Sequence, residues 1–250
     1  MDHPLLQTAE AAKQRRIDNI NIIGKWNKET LSDPKKMAEL VFPFAGVVVP
    51  KRFAITNGRW RFAGREVFQT LLDDVDRMRQ SENLNALWVY GTRGYGKSHL
   101  LAALVCYLSA RGDDVVYIPD CREFTDAPEV YLQSALLLTW TDDKTQDEIF
   151  RLTERDDLKK FLHRRAPLFV IDQTNGFVDR NNPLVHQYKQ EVKRWLRLAC
   201  ARSKVVYSTS ANNLSFHETA GTQNSFAKRN LFGGYTQVRH TDAKAVFCYC

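Results

Sequence analysis

The chain has few cysteines, and they do not form a framework. Cys106, Cys121 and Cys200 lie singly in apolar or strand-end settings that are typical of buried thiols. Only Cys248 and Cys250 are close together, and a C-x-C pair with no second Cys/His pair at metal-ligand spacing is too little for a zinc site. We therefore predict a protein of a reducing compartment with neither a disulfide scaffold nor a zinc centre.

Long apolar runs are also missing. No stretch approaches the roughly 18 apolar residues of a membrane span, and the polar segment 1–16 lacks the apolar core of a secretory signal. These absences exclude secretion by a signal peptide and membrane insertion, so we predict an intracellular protein with no membrane partner. The chain has 250 residues, of which 44% are hydrophobic, which is enough for one sizeable core.

Acidic residues are fewer than basic ones, which leaves a net charge of +7. Such an excess favours an acidic partner, nucleic acid above all, although nucleotide binding also uses basic residues. Part of the charge lies on the helix predicted over 184–202, at Lys189, Lys193, Arg194 and Arg197. Two interpretations of these residues stay open: a solvated helix face, which is the ordinary one, and a surface that contacts a phosphate backbone.

The most informative motif is a glycine-rich loop between a strand and a helix. The apolar run 87–90 predicts a buried strand, residues 91–98 read G-x-x-x-x-G-K-S, and an apolar helical pattern follows at once. Glycines let backbone N–H groups turn toward an anion, and the helix adds its positive N-terminal end. The pattern therefore predicts a phosphate-binding loop. Its predicted nucleotide ligands are Gly91, Thr92, Arg93, Gly94, Tyr95, Gly96, Lys97, Ser98 and His99.

Within this loop, two side chains have specific predicted roles. Lys97 would reach the β- and γ-phosphates, and the Ser98 hydroxyl would hold Mg²⁺. A second motif, PLFVID, is an apolar strand that ends in Asp172, 75 residues after Lys97. A carboxylate at such a strand end lies beside the phosphate loop, as in the Walker B motif, so Asp172 is predicted to share the Mg²⁺ with Ser98.

The residue after Asp172 departs from the common pattern. Many ATPases of this class have a glutamate there that polarises the attacking water, but this chain has Gln173. A glutamine orients water by hydrogen bonding and cannot accept its proton. The sequence leaves two hypotheses: slow hydrolysis in a nucleotide-gated switch, or a base from elsewhere, for which Asp179 is the nearest downstream acid. Asp179 as a loop cap is the simpler alternative.

A further strand, KVVYSTSAN, is predicted over 204–212 and ends in polar residues. In ATPases with an extra strand between the two Walker strands, that strand ends in a sensor that contacts the γ-phosphate or the water. Ser208, Thr209, Ser210 and Asn212 are the candidates, with Ser210 and Asn212 preferred because they lie at the tip. Ordinary turn chemistry is the alternative.

The order of the motifs predicts the fold. Alternating strands and helices indicate an α/β, three-layer P-loop fold with a central, mostly parallel sheet and a strand between the Walker A and Walker B strands. We predict a helical and linker extension over 1–48, an ATPase domain over 49–240 and a tail over 241–250. Gly64-Arg65-Glu66, just before a predicted helix, resembles the G-R-E box of AAA+ and STAND ATPases, which implies that Arg65 lies on the adenine side. The alternative is a solvated Arg-Glu pair.

Several motifs together resemble one family. F-A-G-R-E, Y-G-T-R-G-Y-G-K-S-H-L-L, V-V-Y-I-P-D-C-R, V-I-D-Q, S-T-S-A-N and L-F-G-G-Y-T are similar to the P-loop ATPase module of Crinkler-type proteins, which are related to the retrotransposon-hot-spot proteins. The resemblance covers about 49–236. It implies ATP rather than GTP as ligand, Mg²⁺-dependent ATPase activity, DNA association and an effector-like role, with secretion or a host nucleus as the place of action.

The chain also departs from this family. Only residues 237–250 follow F-G-G-Y-T, too few for the helical lid of related ATPases, so we expect the lid to be absent and the chain to be truncated. Arg229 and Arg239 are weak candidates for an arginine finger. The leading prediction is an ATP- and Mg²⁺-binding switch that hydrolyses slowly and forms nucleotide-dependent homo-oligomers. The alternatives are a nucleic-acid-binding module with structural nucleotide and a small-molecule kinase.

Overall fold

The structure is a computed structural model that describes residues 5–24, 26–45, 50–91, 94–210 and 226–230. Within these ranges the strands are β1 (Met37–Val41), β2 (Arg59–Ala63), β3 (Ala86–Gly91), β4 (Val115–Ile118), β5 (Leu168–Ile171), β6 (Val205–Ser210) and β7 (Phe226–Asn230). The α-helices are α1 (Leu6–Ile23), α2 (Lys28–Ser32), α3 (Val67–Gln80), α4 (Lys97–Arg111), α5 (Cys121–Asp126), α6 (Pro128–Thr139), α7 (Asp143–Phe150), α8 (Arg155–Arg165) and α9 (Pro183–Ala199). Short 3₁₀ helices span Lys51–Phe53 and Thr174–Phe177.

Five of the strands form one parallel sheet in the order β4-β5-β6-β3-β7. Strand β6 therefore lies between the strand that leads into the glycine-rich loop and the strand that ends at Asp172. Every residue of β4 and of β5 is buried, as expected for apolar strands covered on both faces by helices. The predicted α/β fold, with a parallel sheet and an intervening strand, is confirmed.

The register brings the motif-bearing strand ends together. Gly91 at the end of β3 pairs with Ser210 at the end of β6, and Ile171 pairs with Tyr207. On the other side of β5, Ile171 pairs with Ile118. Because all of these strands run in the same direction, their carboxyl ends meet at one edge of the sheet, which is where ligands bind in open parallel sheets.

The N-terminal part of the chain contributes to the same core. Helix α1 packs against α4 and α6, with Ala9 and Ala12 buried, and the Asn19 side-chain amide donates to the Cys106 carbonyl at 2.8 Å. Strands β1 and β2 form an antiparallel pair outside the main sheet, and α4 contacts both. The boundary at residue 48 stays a prediction. Residues 231–250, which include the predicted tail and the place where a lid would begin, lie outside the described ranges, so the expected absence of a lid stays a prediction.

Candidate nucleotide-binding site

The glycine-rich loop connects β3 to α4 at the carboxyl edge of the sheet. Gly94 and Gly96 have φ angles of 88° and 69°, in the left-handed region that favours glycine. Gly96 directly precedes α4, and a Cβ added there would lie 2.8 Å from Cζ of Arg65. A side chain at Gly96 would therefore both strain the backbone and displace Arg65. Thr92 and Arg93, two of the predicted ligands, lie outside the described residues.

Lys97 is the first residue of α4 and folds back over the loop. Its Nζ donates to the Gly91 carbonyl at 2.9 Å, so the ammonium group lies between the two ends of the motif. Burial lowers the Lys97 pKa, while the negative charge of Asp172 acts in the opposite direction. Ser98 follows in the first turn of the helix and is partly buried. The loop thus presents a cation and a hydroxyl at the positive end of a 15-residue helix.

Arg65 lies against this loop. Its Nη1 donates to the Tyr95 carbonyl at 2.6 Å, and its guanidinium group is the neighbour that keeps Gly96 small. The residue comes two positions before α3 begins at Val67. The structure therefore brings Arg65 to the predicted site, while its role on the adenine side stays a prediction.

His99 packs into an aromatic cluster. Its ring centroid lies 4.8 Å from that of Phe53 and 5.3 Å from that of Trp60, which belongs to β2. Burial, together with the positive charges of Arg65 and Arg52, lowers the His99 pKa to about 4. The imidazole is therefore neutral near pH 7 and joins the first turn of α4 to the β1–β2 pair.

Asp172 follows β5 and has no solvent exposure. Its Oδ1 accepts a hydrogen bond of 2.8 Å from the Gln173 backbone N–H, and its Oδ2 lies 3.3 Å from Nη2 of Arg52. The Asp172 backbone N–H donates to the Ile118 carbonyl at 2.8 Å, which continues the pairing of β5 with β4. A buried carboxylate needs a cationic or hydrogen-bonding partner, and here Arg52 supplies the charge.

Arg52 is a residue of the candidate site that the sequence did not reveal. Its Nη1 lies 2.8 Å from Oδ2 of Asp120, and its Nη2 contacts the Pro119 carbonyl as well as Asp172. Asp120 follows β4 in the P-D-C-R motif and is almost fully buried. Burial acts to raise the Asp120 pKa, but hydrogen bonds from Arg122 and the charge of Arg52 hold it below its usual value. The available signal was the acid that follows a buried strand, which could have indicated Asp120 but not Arg52.

The segment after Asp172 has an unusual backbone. Gln173 has φ 56° and ψ 48°, a left-handed conformation that non-glycine residues rarely adopt. The Thr174 hydroxyl donates to the Ser208 carbonyl at 2.9 Å and so fixes this turn to β6. Farther along, Asp179 Oδ1 accepts from the backbone N–H groups of Asn181 and Asn182, both at 3.1 Å, which is the geometry of a loop cap.

The sensor candidates are only partly described. Ser208 and Thr209 are buried within β6. Ser210 is the last residue of that strand and its backbone pairs with Gly91, the first residue of the loop. Asn212 and the side chain of Ser210 lie outside the described part of the chain, and so do Arg239 and the side chain of Arg229. Ser210 and Asn212 therefore stay predictions.

The residues at this edge fit a magnesium ion held together with a nucleotide. Ser98 offers a hydroxyl and Asp172 a carboxylate, and Mg²⁺ is commonly bound by one or two protein oxygens together with phosphate oxygens and water. The observation that supports the fit is the Asp172 carboxylate, buried beside the loop with one of its oxygens on an arginine rather than on a backbone group. Bound there, the ion would neutralise phosphate charge.

No protein-family model matches the chain, and no curated protein matches it. The fold is similar to AMPPCP-bound DnaA from Aquifex aeolicus, with 15% identity and a TM-score of 0.36 over 65% of this chain and 45% of that one. It is also similar to a DNA replication initiation factor, with 17% identity and a TM-score of 0.37 over 80% and 51% of the two chains. For Drosophila ORC bound to GC-rich DNA and Cdc6, the identity is 14% and the TM-score 0.41 over 99% and 35%. This chain therefore spans about a third to a half of the length of these proteins.

In the described part of the chain, no helix is both long and apolar enough to cross a membrane.

Proposed function

We propose that this protein binds ATP with Mg²⁺ at the loop of residues 91–98 and hydrolyses it slowly, so that the bound nucleotide acts as a switch. The observation that carries the proposal is the position of Lys97 and Asp172. Lys97 Nζ donates to the Gly91 carbonyl at 2.9 Å and so lies over the loop. The buried Asp172 lies at the same edge of the sheet, and its negative charge acts to raise the Lys97 pKa against the effect of burial. Backbone N–H groups, one ammonium group and one carboxylate form a recognition set for a nucleotide phosphate with its metal.

Slow hydrolysis follows from the side chains near Asp172. Gln173 is partly exposed, and an amide there orients a water without accepting its proton. Asp179 has its Oδ1 on two backbone N–H groups and its Oδ2 3.3 Å from Lys189 Nζ. Hydrogen bonds from the Asn181 and Asn182 backbones, followed by that of Lys189, lower the Asp179 pKa, which makes it a poor proton acceptor. A nucleotide that binds well and turns over slowly suits a switch.

The test of binding is Lys97→Ala, measured with a fluorescent ATP analogue in the presence of Mg²⁺. We expect affinity to fall by at least about tenfold, because charge-assisted bonds to phosphate are worth roughly 1.5–3 kcal/mol. Lys160→Ala, which removes an exposed lysine of α8, is the matched control and should bind as the wild type does. Undiminished binding by a folded Lys97→Ala protein, as judged by circular dichroism, would refute the proposal.

Single-turnover cleavage of ATP tests the slow step. We expect Gln173→Glu to cleave faster than the wild type, because the carboxylate supplies the missing proton acceptor, and Asp179→Asn to leave the rate unchanged. Brisk cleavage by the wild type that is lost in Gln173→Ala would contradict a slow switch. A large loss in Asp179→Asn would instead make Asp179 the base.

A DNA-dependent form of this activity is the second candidate, and α9 is the surface that favours it. Two of its four basic residues are less available to a phosphate backbone. Lys189 is paired with Asp179, and Lys193 has a pKa lowered first by burial and then by the charge of Arg197. Arg194 and Arg197 are exposed on the same helix. Charge reversal of both arginines should weaken DNA binding and reduce its salt dependence. Unchanged affinity and salt slope would remove this candidate.

The resemblance to Crinkler-type proteins extends the proposal to an effector-like protein that acts in a host nucleus. Nucleotide-dependent homo-oligomers are part of the same proposal. Sedimentation with and without ATP and Mg²⁺ is the direct measurement, and a single monomeric species under both conditions would remove the oligomer from it.

A further inference from the structure

One guanidinium group is shared by acids from two strand ends. Nη1 of Arg52 lies 2.8 Å from Oδ2 of Asp120, which follows β4, and Nη2 lies 3.3 Å from Oδ2 of Asp172, which follows β5. The two strands pair in register up to Ile118 and Ile171, so both carboxylates lie at the edge that carries the glycine-rich loop. Arg52 itself comes from the Lys51–Phe53 helical turn, 120 residues before Asp172.

The contact with Asp172 is the weaker of the two. It is longer by 0.5 Å (3.3 against 2.8 Å), and Asp120 is also the partner of Arg122 at 2.7 Å. Nε of Arg52 is buried and makes no hydrogen bond to any described residue, so the guanidinium is not fully satisfied in this position. Its side chain is 22% exposed, whereas that of Asp172 is not exposed at all. Arg52 thus has a route toward solvent, while Asp172 stays inside and needs a cation.

We propose that Arg52 is a displaceable counter-ion of Asp172. It neutralises this carboxylate when no metal is bound, gives up the contact when Mg²⁺ arrives with the nucleotide, and remains attached to Asp120. The inference rests on the proposed nucleotide and Mg²⁺ site, and it adds a residue that sets how much Mg²⁺ the site requires.

The physical reason is competition for one buried charge. A divalent ion on Asp172 and a guanidinium 3.3 Å from its Oδ2 would repel each other strongly in a poorly solvated site. Asp120 retains Arg52 because the Arg52–Asp120 pair is the shorter one and because the Asp120 carboxylate stays charged. Burial acts to raise the Asp120 pKa, but Arg122 and Arg52 hold it below its usual value. The exchange therefore moves Arg52 by a short distance and leaves neither acid without a cation.

The exchange also has a route to the rest of the site. Phe53 is the next residue after Arg52, and its ring lies 5.4 Å from that of Trp60 and 4.8 Å from that of His99. A displacement of Arg52 therefore acts on the aromatic cluster beside the first turn of α4. Metal binding at Asp172 is therefore coupled to the position of the segment that connects β1 and β2.

The test is the Mg²⁺ concentration at which half of a fluorescent ATP analogue is bound, measured for the wild type, Arg52→Gln and Arg122→Gln. Arg122 pairs with Asp120 at 2.7 Å and, among the ion pairs of the described residues, forms none with Asp172, so it serves as the matched control. We expect the midpoint for Arg52→Gln to fall by about tenfold or more, since a hydrogen bond to a charged group no longer competes. The midpoint for Arg122→Gln should stay close to the wild-type value, because the charge of Asp172 acts on Arg122 only weakly and Arg52 remains in place.

A midpoint that is unchanged or higher in Arg52→Gln overturns the inference. Loss of nucleotide binding by Arg52→Gln at saturating Mg²⁺ also overturns it, because Arg52 would then be a phosphate ligand. If Arg52→Gln does not fold, Arg52→Lys replaces it: a lysine cannot contact both acids in the same way, so the midpoint should fall by a smaller factor, and an unchanged midpoint rejects the proposal.

A nucleotide-free measurement separates this inference from the proposed function. Thermal unfolding is followed in EDTA and in excess Mg²⁺, without nucleotide. Mg²⁺ should raise the Tm of Arg52→Gln more than that of the wild type, because only the variant has a buried acid without its cation. Failure of the wild type to bind nucleotide refutes the proposed function, whereas equal Tm shifts in the two proteins refute the counter-ion role.

Discussion

The two edges of the parallel sheet both carry clusters of charged residues, but the clusters differ in burial. At the amino edge, Arg111 lies 2.8 Å from Asp76 and 2.6 Å from Asp113, and Arg79 also contacts Asp113. Their side chains are between 14% and 36% exposed. At the carboxyl edge, Asp120 and Asp172 are 2% and 0% exposed and share one arginine.

The amino-edge cluster is explained by local structure. Arg111 ends α4, and Arg79 lies in the last turn of α3, where positive charge stabilises the helix C-terminus. Lys204 donates to the Ser81 and Leu84 carbonyls at 2.6 and 2.7 Å, which holds the α3–β3 turn against β6. A cleft of about 430 Å³ lies at this edge, lined by Arg79, Gly112, Asp113, Asp114, Arg165, Ala166, Pro167, Leu168 and Lys204.

Local structure explains the carboxyl-edge cluster only in part. Asp120 caps the start of α5 by accepting from the Arg122 backbone N–H at 3.0 Å, whereas Asp172 caps none of the described helices. The members of the cluster come from separate parts of the chain, and its central acid is removed from water although no helix end requires it there. A buried charge has a high desolvation cost, so its presence beside the glycine-rich loop indicates a role that apolar packing could not fill. Burial, rather than the number of ion pairs, therefore distinguishes the edge with the proposed nucleotide site from the opposite edge.

The largest expected difference between the edges is in stability without metal. Arg52→Met leaves Asp172 buried without its cation and should lower the free energy of unfolding by about 3 kcal/mol. Arg79→Met removes a cation from the partly exposed amino-edge cluster and should cost about 1 kcal/mol or less. Urea unfolding in EDTA measures both changes. Equal losses in the two variants would show that burial does not separate the clusters.

A second difference is in the response to acid, and it depends on His99. Its pKa of about 4 lies below the ordinary value, so between about pH 6.5 and pH 4 the unfolded chain binds a proton that the native state does not. The resulting stabilisation is present above pH 6.5 and is lost as the pH falls toward 4. It amounts to at most about 3 kcal/mol.

His99→Phe keeps an aromatic ring and removes the titration. We expect the free energy of unfolding of this variant to fall less steeply than that of the wild type between pH 6.5 and pH 5. Urea unfolding at several pH values in this range makes the comparison, and parallel curves would contradict the assigned burial of His99.

The same contrast explains what the sequence could predict. The loop, the strand that ends at Asp172 and the intervening strand were predictable because each is encoded by residues adjacent along the chain. Apolar runs such as VVYI and LFVI indicate fully buried strands, and their parallel pairing then fixes which ends meet.

Arg52 could not be predicted, because its partners are selected by tertiary packing across 120 residues of chain. The β1–β2 pair was also missed, because β1 lies in the segment 1–48 that was predicted as a helical and linker extension and no strand was predicted over 59–63. His99 was predicted as a ligand by its place after Ser98, and its packing against Phe53 and Trp60 depends on that unpredicted pair.

The smallest expected effect compares the two ends of one strand. β5 is preceded by Ala166 with φ 46° and followed by Gln173 with φ 56°, and both residues are in the left-handed conformation. Ala166 ends α8, where glycine is the usual residue. Ala166→Gly should therefore stabilise the protein by up to about 1 kcal/mol. This net value is the backbone strain that glycine relieves minus the entropy cost of a more flexible unfolded chain.

Gln173→Gly should relieve the same backbone strain by a similar amount, but it also removes the amide beside Asp172. This variant should therefore be as stable as Ala166→Gly. It should lose single-turnover ATP cleavage, which Ala166→Gly keeps, because only Gln173 has a side-chain amide beside Asp172 that can orient water. Urea unfolding and the cleavage assay are performed on both proteins. Full cleavage by Gln173→Gly would mean that the left-handed turn serves only to aim the chain away from β5, and the amide of Gln173 would then have no part in orienting water.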